Sequence, residues 1–272
     1  GRGPALPAGG FGPAWGRKIR SDIDGVQFSR LQEMVGGQEL RYCQLFCGTE
    51  GGFTPLHFDT HDNLFMQVRG RKGALLFHPK YFSHLYSFPQ NHPQDRCTRV
   101  DLEAPDLTAF PRFAELRGAG LEACIGPGEI LHIPPCWWHQ IEMLPSPPAG
   151  ECVSLNFWFQ EPEWHCGTGN TNIALDRLLH GHRRVLFLRF VERLIVHFVH
   201  PSLVPDVLEA CSGENPPRAG SELSEAVKTV SDFVRSVCEA EGEEGAKAVF
   251  HDLVEGRFTG LVPQSAHAKS TR

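Results

Sequence analysis

Three residues have the types and spacing of a metal centre: His57, Asp59 and His139. The first two stand just after a glycine-rich turn at 51–52, and we expect them at the start of a β-strand. Side chains alternate across a strand, so His57 and Asp59 would then share one face. A distant imidazole would complete a two-histidine, one-carboxylate set, which leaves positions on Fe(II) for a 2-oxo acid and O2. His139 is the leading candidate for that third ligand.

The surroundings of His139 make the pattern more specific than a lone His-x-Asp, which is more often a surface pair. Before it come the turn Gly126-Pro127-Gly128, the apolar run 130–133 and the pair Trp137-Trp138, which would keep water from a metal. Spacing alone leaves the other histidines open as ligands, with His61 the main competitor because it is close to Asp59. The histidines that stay open include His61, His78, His84, His92 and His132, of which we expect His132 to be a strand residue.

A bound 2-oxo dicarboxylate would need a buried cation for its far carboxylate and a hydroxyl to orient it, because an unpartnered buried charge is costly. Lys72 and Thr54 are the candidates for these two roles. Lys72 opens an apolar strand, and the alternative is a solvated turn lysine beside two arginines. Asn63 and Asn156 lie in apolar strands, where a buried amide needs polar partners; the alternative is a pair of satisfied core asparagines.

Short β-prone segments separated by glycine and proline turns dominate the middle of the chain and predict an antiparallel sandwich or barrel. We expect the stretch 81–113 to be an insertion over the mouth of that barrel. The predicted strands are 40–47, 64–68, 74–78, 121–124, 130–133 and 152–159.

Helical periodicity replaces this pattern after residue 161. It predicts one long amphipathic helix over 175–198 and two more over 223–237 and 246–254. The predicted organisation is a flexible leader at 1–15, one catalytic domain at 16–160, a helical region at 161–261 and a disordered tail at 262–272.

Composition excludes several classes of protein. A net charge of −6, without a basic run, argues against direct binding of nucleic acid. No apolar run is long enough for a membrane span, so we expect no membrane partner. Nine cysteines, an odd number without a CxxC pair, predict reduced thiols and an intracellular location in the cytoplasm or nucleus. The first residues lack a methionine and predict a fragment or an unusual start.

Longer motifs carry a resemblance to a known family. They are GRKI at 16–19, TPLHFDTHDNLFMQVRGRK at 54–72, HPQDR at 92–96, GPGEILHIPPCWWHQIE at 126–142, NFWF at 156–159 and EGRF at 255–258. The chain resembles the JmjC-type Fe(II)- and 2-oxoglutarate-dependent dioxygenases, in particular the asparaginyl hydroxylases that act on hypoxia-inducible factor α. The resemblance extends over roughly residues 16–261.

The resemblance implies a mainly β fold, a double-stranded β-helix of the cupin jelly-roll type, followed by α-helices that form a homodimer. It implies that iron is bound by His57, Asp59 and His139, and that 2-oxoglutarate and the iron pocket are contacted by Thr54, Asn63, Phe65, Lys72 and Asn156. It assigns Arg96 and Trp158 to the substrate pocket. The implied reaction is β-hydroxylation of asparagine in hypoxia-inducible factor α or in ankyrin-repeat proteins.

Three positions depart from that family. No tyrosine stands near Leu6, where the family has one that hydrogen-bonds 2-oxoglutarate. Cys97 replaces a glutamine that contacts substrate, and an insertion at 213–220 lengthens a loop between the carboxy-terminal helices. Two alternatives stay open: an impaired cupin that acts as a binding module, and a JmjC lysine demethylase or a hydroxylase of another residue.

Overall fold

The structure is a computed structural model that describes residues 27–146, 150–160, 180–213, 220–238 and 242–259. Several predictions fall outside this described part: the leader at 1–15, the GRKI segment, the start of the long helix at 175–179, most of the loop at 213–220, and the tail at 262–272. The described residues form two compact units that alternate along the chain. Within the described part of the chain, the first unit takes its residues from 27–54, 59–76 and 122–160, and the second from 55–58, 77–121 and 180–259.

The described residues contain eight strands in two four-stranded sheets, as the predicted jelly roll requires. One sheet has the order β1-β8-β3-β6 and the other β2-β7-β4-β5; β1 with β8, and β3 with β8 and β6, pair antiparallel. The predicted mainly β fold of the cupin jelly-roll type, with carboxy-terminal helices, is confirmed. The strands are β1 Glu39–Thr49, β2 Phe53–Phe58, β3 Asp62–Arg69, β4 Arg71–Phe77, β5 Leu121–Ile125, β6 Ile130–Ile133, β7 Trp138–Leu144 and β8 Glu151–Gln160.

All six predicted strands are present, and β2 and β7 are additional. The prediction that His57 opens a strand is wrong, because His57 is the last but one residue of β2 and Asp59 follows the strand. Strand alternation therefore does not explain why the two side chains come together. The turn after Phe58, rather than a shared strand face, places Asp59.

Gly70 makes the tight connection between β3 and β4. Its φ is +73°, and an added Cβ would lie 2.4 Å from the carbonyl oxygen of Glu151. Only glycine adopts such a φ without strain, and here it also allows the close approach of β8. The ion pair between Arg69 and Glu151, at 2.8 Å, lies beside the same turn.

The β1-β8-β3-β6 sheet has two different faces. Its outer face is apolar and is covered by a short helix, α1 Phe28–Met34, through Leu31; Leu64, Phe157 and Phe159 are fully buried there. The inner face carries Phe65 and Ile133, which pack against Ala74, Leu76 and Ile125 of the second sheet. The buried amides of β3 and β8 share this inner face, so they lie inside the sandwich.

Among its described residues, the second unit contains four α-helices: α2 His180–Phe198, α3 Val204–Ser212, α4 Glu222–Val237 and α5 Gly242–Leu253. Three of them match the predicted helices, whereas α3 was not predicted. Short 3-10 helices cover 79–84, 111–116 and 201–203, and one π-helical turn covers 254–258. Among the described helices, none combines the length and the apolar character that a membrane span requires.

A buried ion pair ties the end of the chain to α2. Arg257 is 0% exposed and its Nε lies 2.7 Å from Oε2 of Glu192, which is 1% exposed. Arg257 also donates from Nη1 to the hydroxyl of Ser87 at 2.8 Å. Gly256 precedes it and has no room for a side chain, since a Cβ would lie 2.7 Å from Cα of Ser83. The EGRF segment at 255–258 is therefore buried within the second unit and bound there to α2 and to Ser87.

Candidate metal centre

His57, Asp59 and His139 come together as predicted. One ligand atom from each, a ring nitrogen or a carboxylate oxygen, lies within 4.8 Å of the other two. The Nε2 atom of His139 is 3.6 Å from Oδ2 of Asp59, and the two side chains are only 4% and 13% exposed. Two imidazoles and one carboxylate at this spacing form a set that can hold one metal ion. No other such group of three is found in the part of the chain that the structure describes.

Both histidines are oriented by the same kind of hydrogen bond. Nδ1 of His139 lies 3.0 Å from the carbonyl oxygen of Trp137, and Nδ1 of His57 lies 2.8 Å from that of Pro55. A carbonyl can only accept, so each Nδ1 carries the proton and each Nε2 keeps its lone pair. This arrangement fixes ring orientation and tautomer in protein metal sites. The two imidazoles are thus prepared to bind a metal through Nε2.

Asp59 is held by a strained residue. The backbone N–H of Cys136 donates to the carbonyl oxygen of Asp59 at 2.6 Å. Cys136 is fully buried and has a φ of +62°, which a residue with a side chain rarely adopts. Such strain costs on the order of 1–3 kcal/mol and persists only where the surrounding structure imposes it. The Pro134-Pro135-Cys136 turn therefore fixes the backbone of one ligand while it leads into the strand of another.

The end of β2 pairs with a short segment around Cys97. His57 stands opposite Cys97 in an antiparallel bridge, and the N–H of Phe58 donates to the carbonyl of Arg96 at 3.2 Å. The Arg96 side chain is exposed, with Nε 3.7 Å from Oδ1 of Asp95. Arg96 was predicted to contact substrate. Its backbone is hydrogen-bonded to Phe58, the residue that follows the candidate ligand His57.

Lys72 is a buried cation on β4. It is 3% exposed, its Nζ donates to Oγ of Ser154 at 2.8 Å, and the same nitrogen lies 4.8 Å from the ring centroid of Phe65. Burial lowers its pKa from the usual 10.5, since the charged form is desolvated. Within the described residues it forms no ion pair with a carboxylate. A buried amine with a hydroxyl and aromatic rings around it suits an anionic ligand.

Asn63 and Asn156 form a buried amide pair on the inner face. Nδ2 of Asn156 donates to Oδ1 of Asn63 at 3.2 Å, and Asn156 and Asn63 are 8% and 2% exposed. In the register of β8 with β3, Trp158 stands opposite Asn63 and Asn156 stands opposite Phe65. The carbonyl oxygen of Asn156 is buried and has no hydrogen-bond donor among the described residues. It is available to a donor from a bound molecule or from water.

The remaining predicted residues have different environments. Trp158 is 7% exposed and donates from Nε1 to Oε1 of Gln44 at 3.0 Å. Thr54 lies on β2 with an exposed side chain, and β7 separates β2 from the strand of Lys72 in the order of the sheet. His61 packs against the rings of Tyr42 and Trp158 and is not part of the metal-ligand group.

Sequence reasoning missed Ser154 and Gln44. Ser154 is two residues before Asn156 on β8, and Gln44 pairs with Asn156 in the register of β1 with β8. Alternation along β8 puts Ser154, Asn156 and Trp158 on one face, so this signal was present in the sequence. The cross-sheet bond from Lys72 to Ser154 could not be foreseen, because it depends on how the two sheets pack.

The arrangement fits Fe(II) and a 2-oxo dicarboxylate. The donor set of two fixed imidazoles and one carboxylate leaves coordination positions open, as non-haem iron oxygenases require. Lys72 is buried and has no carboxylate partner among the described residues, so it can bind the anionic group of an organic ligand. Oδ1 of Asn156 has no donor there and can accept a hydrogen bond from a bound molecule. The fit therefore rests on the chemistry of the donor set and on the buried polar atoms beside it.

Comparisons with known proteins agree with the fold. The chain is 34% identical over 125 residues to the lysine-specific demethylase JMJ30 of Arabidopsis thaliana, a match that covers 46% of this chain and 27% of the relative. It is 34% identical over 139 residues to HSPB1-associated protein 1 of Mus musculus, covering 50% and 27%. It is 38% identical over 97 residues to JmjC domain-containing protein D of Dictyostelium discoideum, covering 36% and 21%. The chain therefore spans about a quarter of the length of these curated relatives.

The family assignment comes from a separate comparison. The family model for the cupin-like domain matches residues 17–164, more than half of the 272 residues of the chain. The matched range includes all eight strands and all three residues of the metal-ligand group. The protein therefore belongs to the cupin-like domain family.

Proposed function

We propose that this protein is an Fe(II)- and 2-oxoglutarate-dependent hydroxylase that acts on a protein substrate. The observation that carries this proposal is the joint presence of the His57, Asp59 and His139 set and of a buried lysine that forms no ion pair within the described residues. Neither feature alone is specific to oxygenases. Together they provide a metal centre with open positions and a cation for a dicarboxylate, the two requirements of this class of oxygenase.

The residues of the chain divide the work of binding and orientation. His57 and His139 present Nε2 because their Nδ1 protons are engaged by carbonyls. Lys72 and Ser154 bind the far carboxylate of 2-oxoglutarate, and the Asn63 and Asn156 amides orient the cosubstrate. When bound, Fe(II) with 2-oxoglutarate and O2 supplies the oxidising power that inserts one oxygen atom into a substrate C–H bond, with succinate and CO2 as co-products.

Apolar walls protect that chemistry. Phe65 and Trp158 stand opposite Asn156 and Asn63 in the register of β3 with β8, and they are only 2% and 7% exposed. Such side chains exclude bulk water from the pocket, which strengthens the interaction between Lys72 and a bound carboxylate. The proposed role of Thr54 is to contact the same carboxylate from β2.

The proposed reaction is β-hydroxylation of asparagine in hypoxia-inducible factor α or in an ankyrin-repeat protein. The motifs at 54–72, 92–96 and 126–142 support it by their resemblance to asparaginyl hydroxylases. In this proposal Arg96 and Trp158 contact the substrate peptide. A homodimer through the helices after residue 161 is part of the proposal.

A second candidate is lysine demethylation with the same iron site. One relative bears the name lysine-specific demethylase and is 34% identical over 125 residues. Both reactions use the same metal centre and cosubstrate, so they differ only in which substrate carbon is oxidised. The substrate itself must separate them.

The test is metal binding followed by turnover. The full chain is titrated with Fe(II) and 2-oxoglutarate without O2, then exposed to air with ankyrin-repeat protein or with a methyl-lysine peptide, and the products are read by mass spectrometry. We expect an added oxygen on asparagine. Loss of a methyl group from lysine would favour the second candidate, and metal binding without turnover of any substrate would favour a non-catalytic cupin.

Matched variants make this test specific. His139→Ala and Lys72→Ala should abolish turnover, whereas His132→Ala should leave it unchanged, because His132 lies on β6 and pairs with Asp62 at 2.7 Å. Equal turnover in His139→Ala would rule out the assigned metal centre. Light scattering of the purified chain measures whether it is a dimer.

A further inference from the structure

A hairpin in the second unit carries the strand end that contains His57. We call residues 87–98 the 87–98 hairpin: Ser87 pairs with Thr98, and the N–H of Phe88 donates to the carbonyl of Cys97 at 3.1 Å. The returning arm of this hairpin pairs antiparallel with His57 through Cys97.

Hydrogen bonds from this hairpin flank the ligand on both sides. The N–H of Thr98 donates to the carbonyl of Leu56 at 3.0 Å, and the N–H of Phe58 donates to the carbonyl of Arg96 at 3.2 Å. Leu56 and Phe58 are 1% and 0% exposed, so these bonds are shielded from solvent. The position of the His57 backbone therefore depends on where the 87–98 hairpin lies.

Helix α2 holds the hairpin with two side chains one turn apart. Nη2 of Arg189 lies 2.7 Å from Oδ2 of Asp95, and Oε1 of Glu192 accepts a hydrogen bond from the backbone N–H of Gln90. Residues three apart on a helix share one face, so both contacts come from the same side of α2. The guanidinium of Arg189 also lies 5.4 Å from the ring centroid of Phe58, the residue after His57. One helix thus contacts the hairpin at two points and the ligand strand at a third.

The buried ion pair of Arg257 with Glu192 stabilises this arrangement of α2 and the hairpin. Arg257 pairs with Glu192 at 2.7 Å and donates to Ser87, the first residue of the hairpin. A buried ion pair adds little net stability compared with apolar residues of similar volume, because both charges lose their hydration. Fixed polar contacts instead define the geometry of the segment that they hold. Retaining buried charges at this position is consistent with a need for geometry rather than for stability.

We infer that Arg189 and Glu192 are positioning residues for the metal centre, which act through the 87–98 hairpin on the backbone of His57. This inference rests on the proposed function, because it assumes that His57 binds the metal. Groups that hydrogen-bond a metal ligand directly typically change metal affinity by about 10- to 100-fold when they are removed. Residues that act one contact further away should lie at the lower end of that range. Glu192 contacts the backbone of the hairpin at Gln90, whereas Arg189 contacts the side chains of Asp95 and Phe58. Neither is a member of the metal-ligand group.

The test compares two arginines of the same helix. Arg189→Met removes the contacts with Asp95 and Phe58. Arg184→Met is the matched control, because Arg184 pairs with Asp252 of α5 and not with the hairpin. Both variants of the full chain are titrated with Co(II), and the visible spectrum reports the ligand set. We expect affinity to fall about tenfold in Arg189→Met and to stay at the wild-type value in Arg184→Met. Arg189→Lys, which keeps the charge, should restore part of the affinity.

A second readout needs no metal. Amide hydrogen exchange of the metal-free protein, measured on peptides that cover 55–60, should become faster in Arg189→Met and remain unchanged in Arg184→Met. Wild-type affinity and exchange in Arg189→Met would overturn the inference while leaving the metal centre intact. An equal loss of affinity in Arg184→Met would identify a general loss of stability and would also overturn it. Failure of the wild-type chain to bind Co(II) would instead reject the proposed function, and the inference with it.

Discussion

Lys72 donates a hydrogen bond to Ser154 at 2.8 Å, from β4 of one sheet to β8 of the other. This bond crosses between the two sheets beside the buried ring of Phe65, and the ring of Phe46, which is itself exposed, also lies near the amine. A protonated amine in such surroundings lowers the free energy of unfolding unless an anion joins it. We therefore expect Lys72 to lower the stability of the unliganded protein and to strengthen the binding of an anionic ligand.

Replacing Lys72 by Met tests both effects, on stability and on binding. Burial lowers the pKa of Lys72 in the folded protein below the usual 10.5. At neutral pH the buried charge therefore lowers the free energy of unfolding. This cost decreases as the pH rises past the folded-state pKa, and it is absent above 10.5, where the lysine is neutral in both states. We expect a higher unfolding midpoint than wild type at pH 7, a difference that shrinks towards pH 10.5, and affinity for 2-oxoglutarate reduced by more than about tenfold. Thermal unfolding against pH and calorimetry with Mn(II)-loaded protein measure both.

Lys80→Met is the control, since Lys80 is exposed and its loss should change neither quantity. Unaltered 2-oxoglutarate binding in Lys72→Met would remove Lys72 from the cosubstrate site.

The amide pair should behave non-additively. Asn156→Leu leaves Oδ1 of Asn63 without the donor that it has in the wild type, and a buried group left unsatisfied costs about 1–3 kcal/mol. Combining it with Asn63→Leu removes both polar groups, so the double variant should be less destabilised than the sum of the two single variants. Urea unfolding of the four proteins measures the coupling, and strict additivity would show that the pair contributes no coupling energy.

Cys136 should not tolerate a β-branched side chain. Its φ of +62° is already unfavourable, and valine would increase the strain. We expect Cys136→Val to lower the free energy of unfolding by about 1–3 kcal/mol and to weaken Co(II) binding, because the N–H of Cys136 holds the backbone of Asp59. Cys43→Val on β1, a regular strand position, should affect neither. Wild-type metal affinity in a folded Cys136→Val protein would contradict this role.

The buried pair of Glu192 and Arg257 gives the largest expected effect on stability. Arg257→Met leaves the charge of Glu192 without this partner in a site that is 1% exposed, which costs about 3–5 kcal/mol. Adding Glu192→Leu removes the orphan charge, so the double variant should regain most of that loss. Chemical denaturation measures the recovery, and a double variant no more stable than Arg257→Met would argue against a simple charge effect.

Sequence reasoning identified the elements with clean periodicity. The strands and helices found in this way have regular apolar spacing, as along β8 and α4. It placed a strand after His57 and not before it, because β2 begins with three exposed residues, Pro55 among them, and it did not predict α3, which has Pro205 in its first turn. Proline is tolerated in the first turn of a helix, where its missing N–H has no partner to lose. The motif also suggested the wrong place for His57 in its strand, because pattern alone does not mark where pairing ends.

The three metal-ligand candidates were found from spacing and residue type, and the structure brings them together. What sequence could not supply were contacts between distant segments: Lys72 with Ser154, Cys97 opposite His57, and Arg189 with Asp95. Each depends on the packing of elements that are between about 40 and 95 residues apart, and no local pattern encodes such a distance. The predicted organisation into domains and the predicted roles of all the site residues stay predictions.

The long chain separation between Asp59 and His139 has a consequence for how the protein is made. The two ligands are 80 positions apart in the sequence. The centre can therefore form only after β7 has paired with β2. Pairings between such distant segments require loop closure and belong to the slow steps of folding. A metal ion that binds only the finished centre stabilises the native state by mass action, by about 2.7 kcal/mol at one hundred times its dissociation constant. Without such an ion a larger fraction of the chains would be unfolded, and unfolded chains are the ones that proteases degrade.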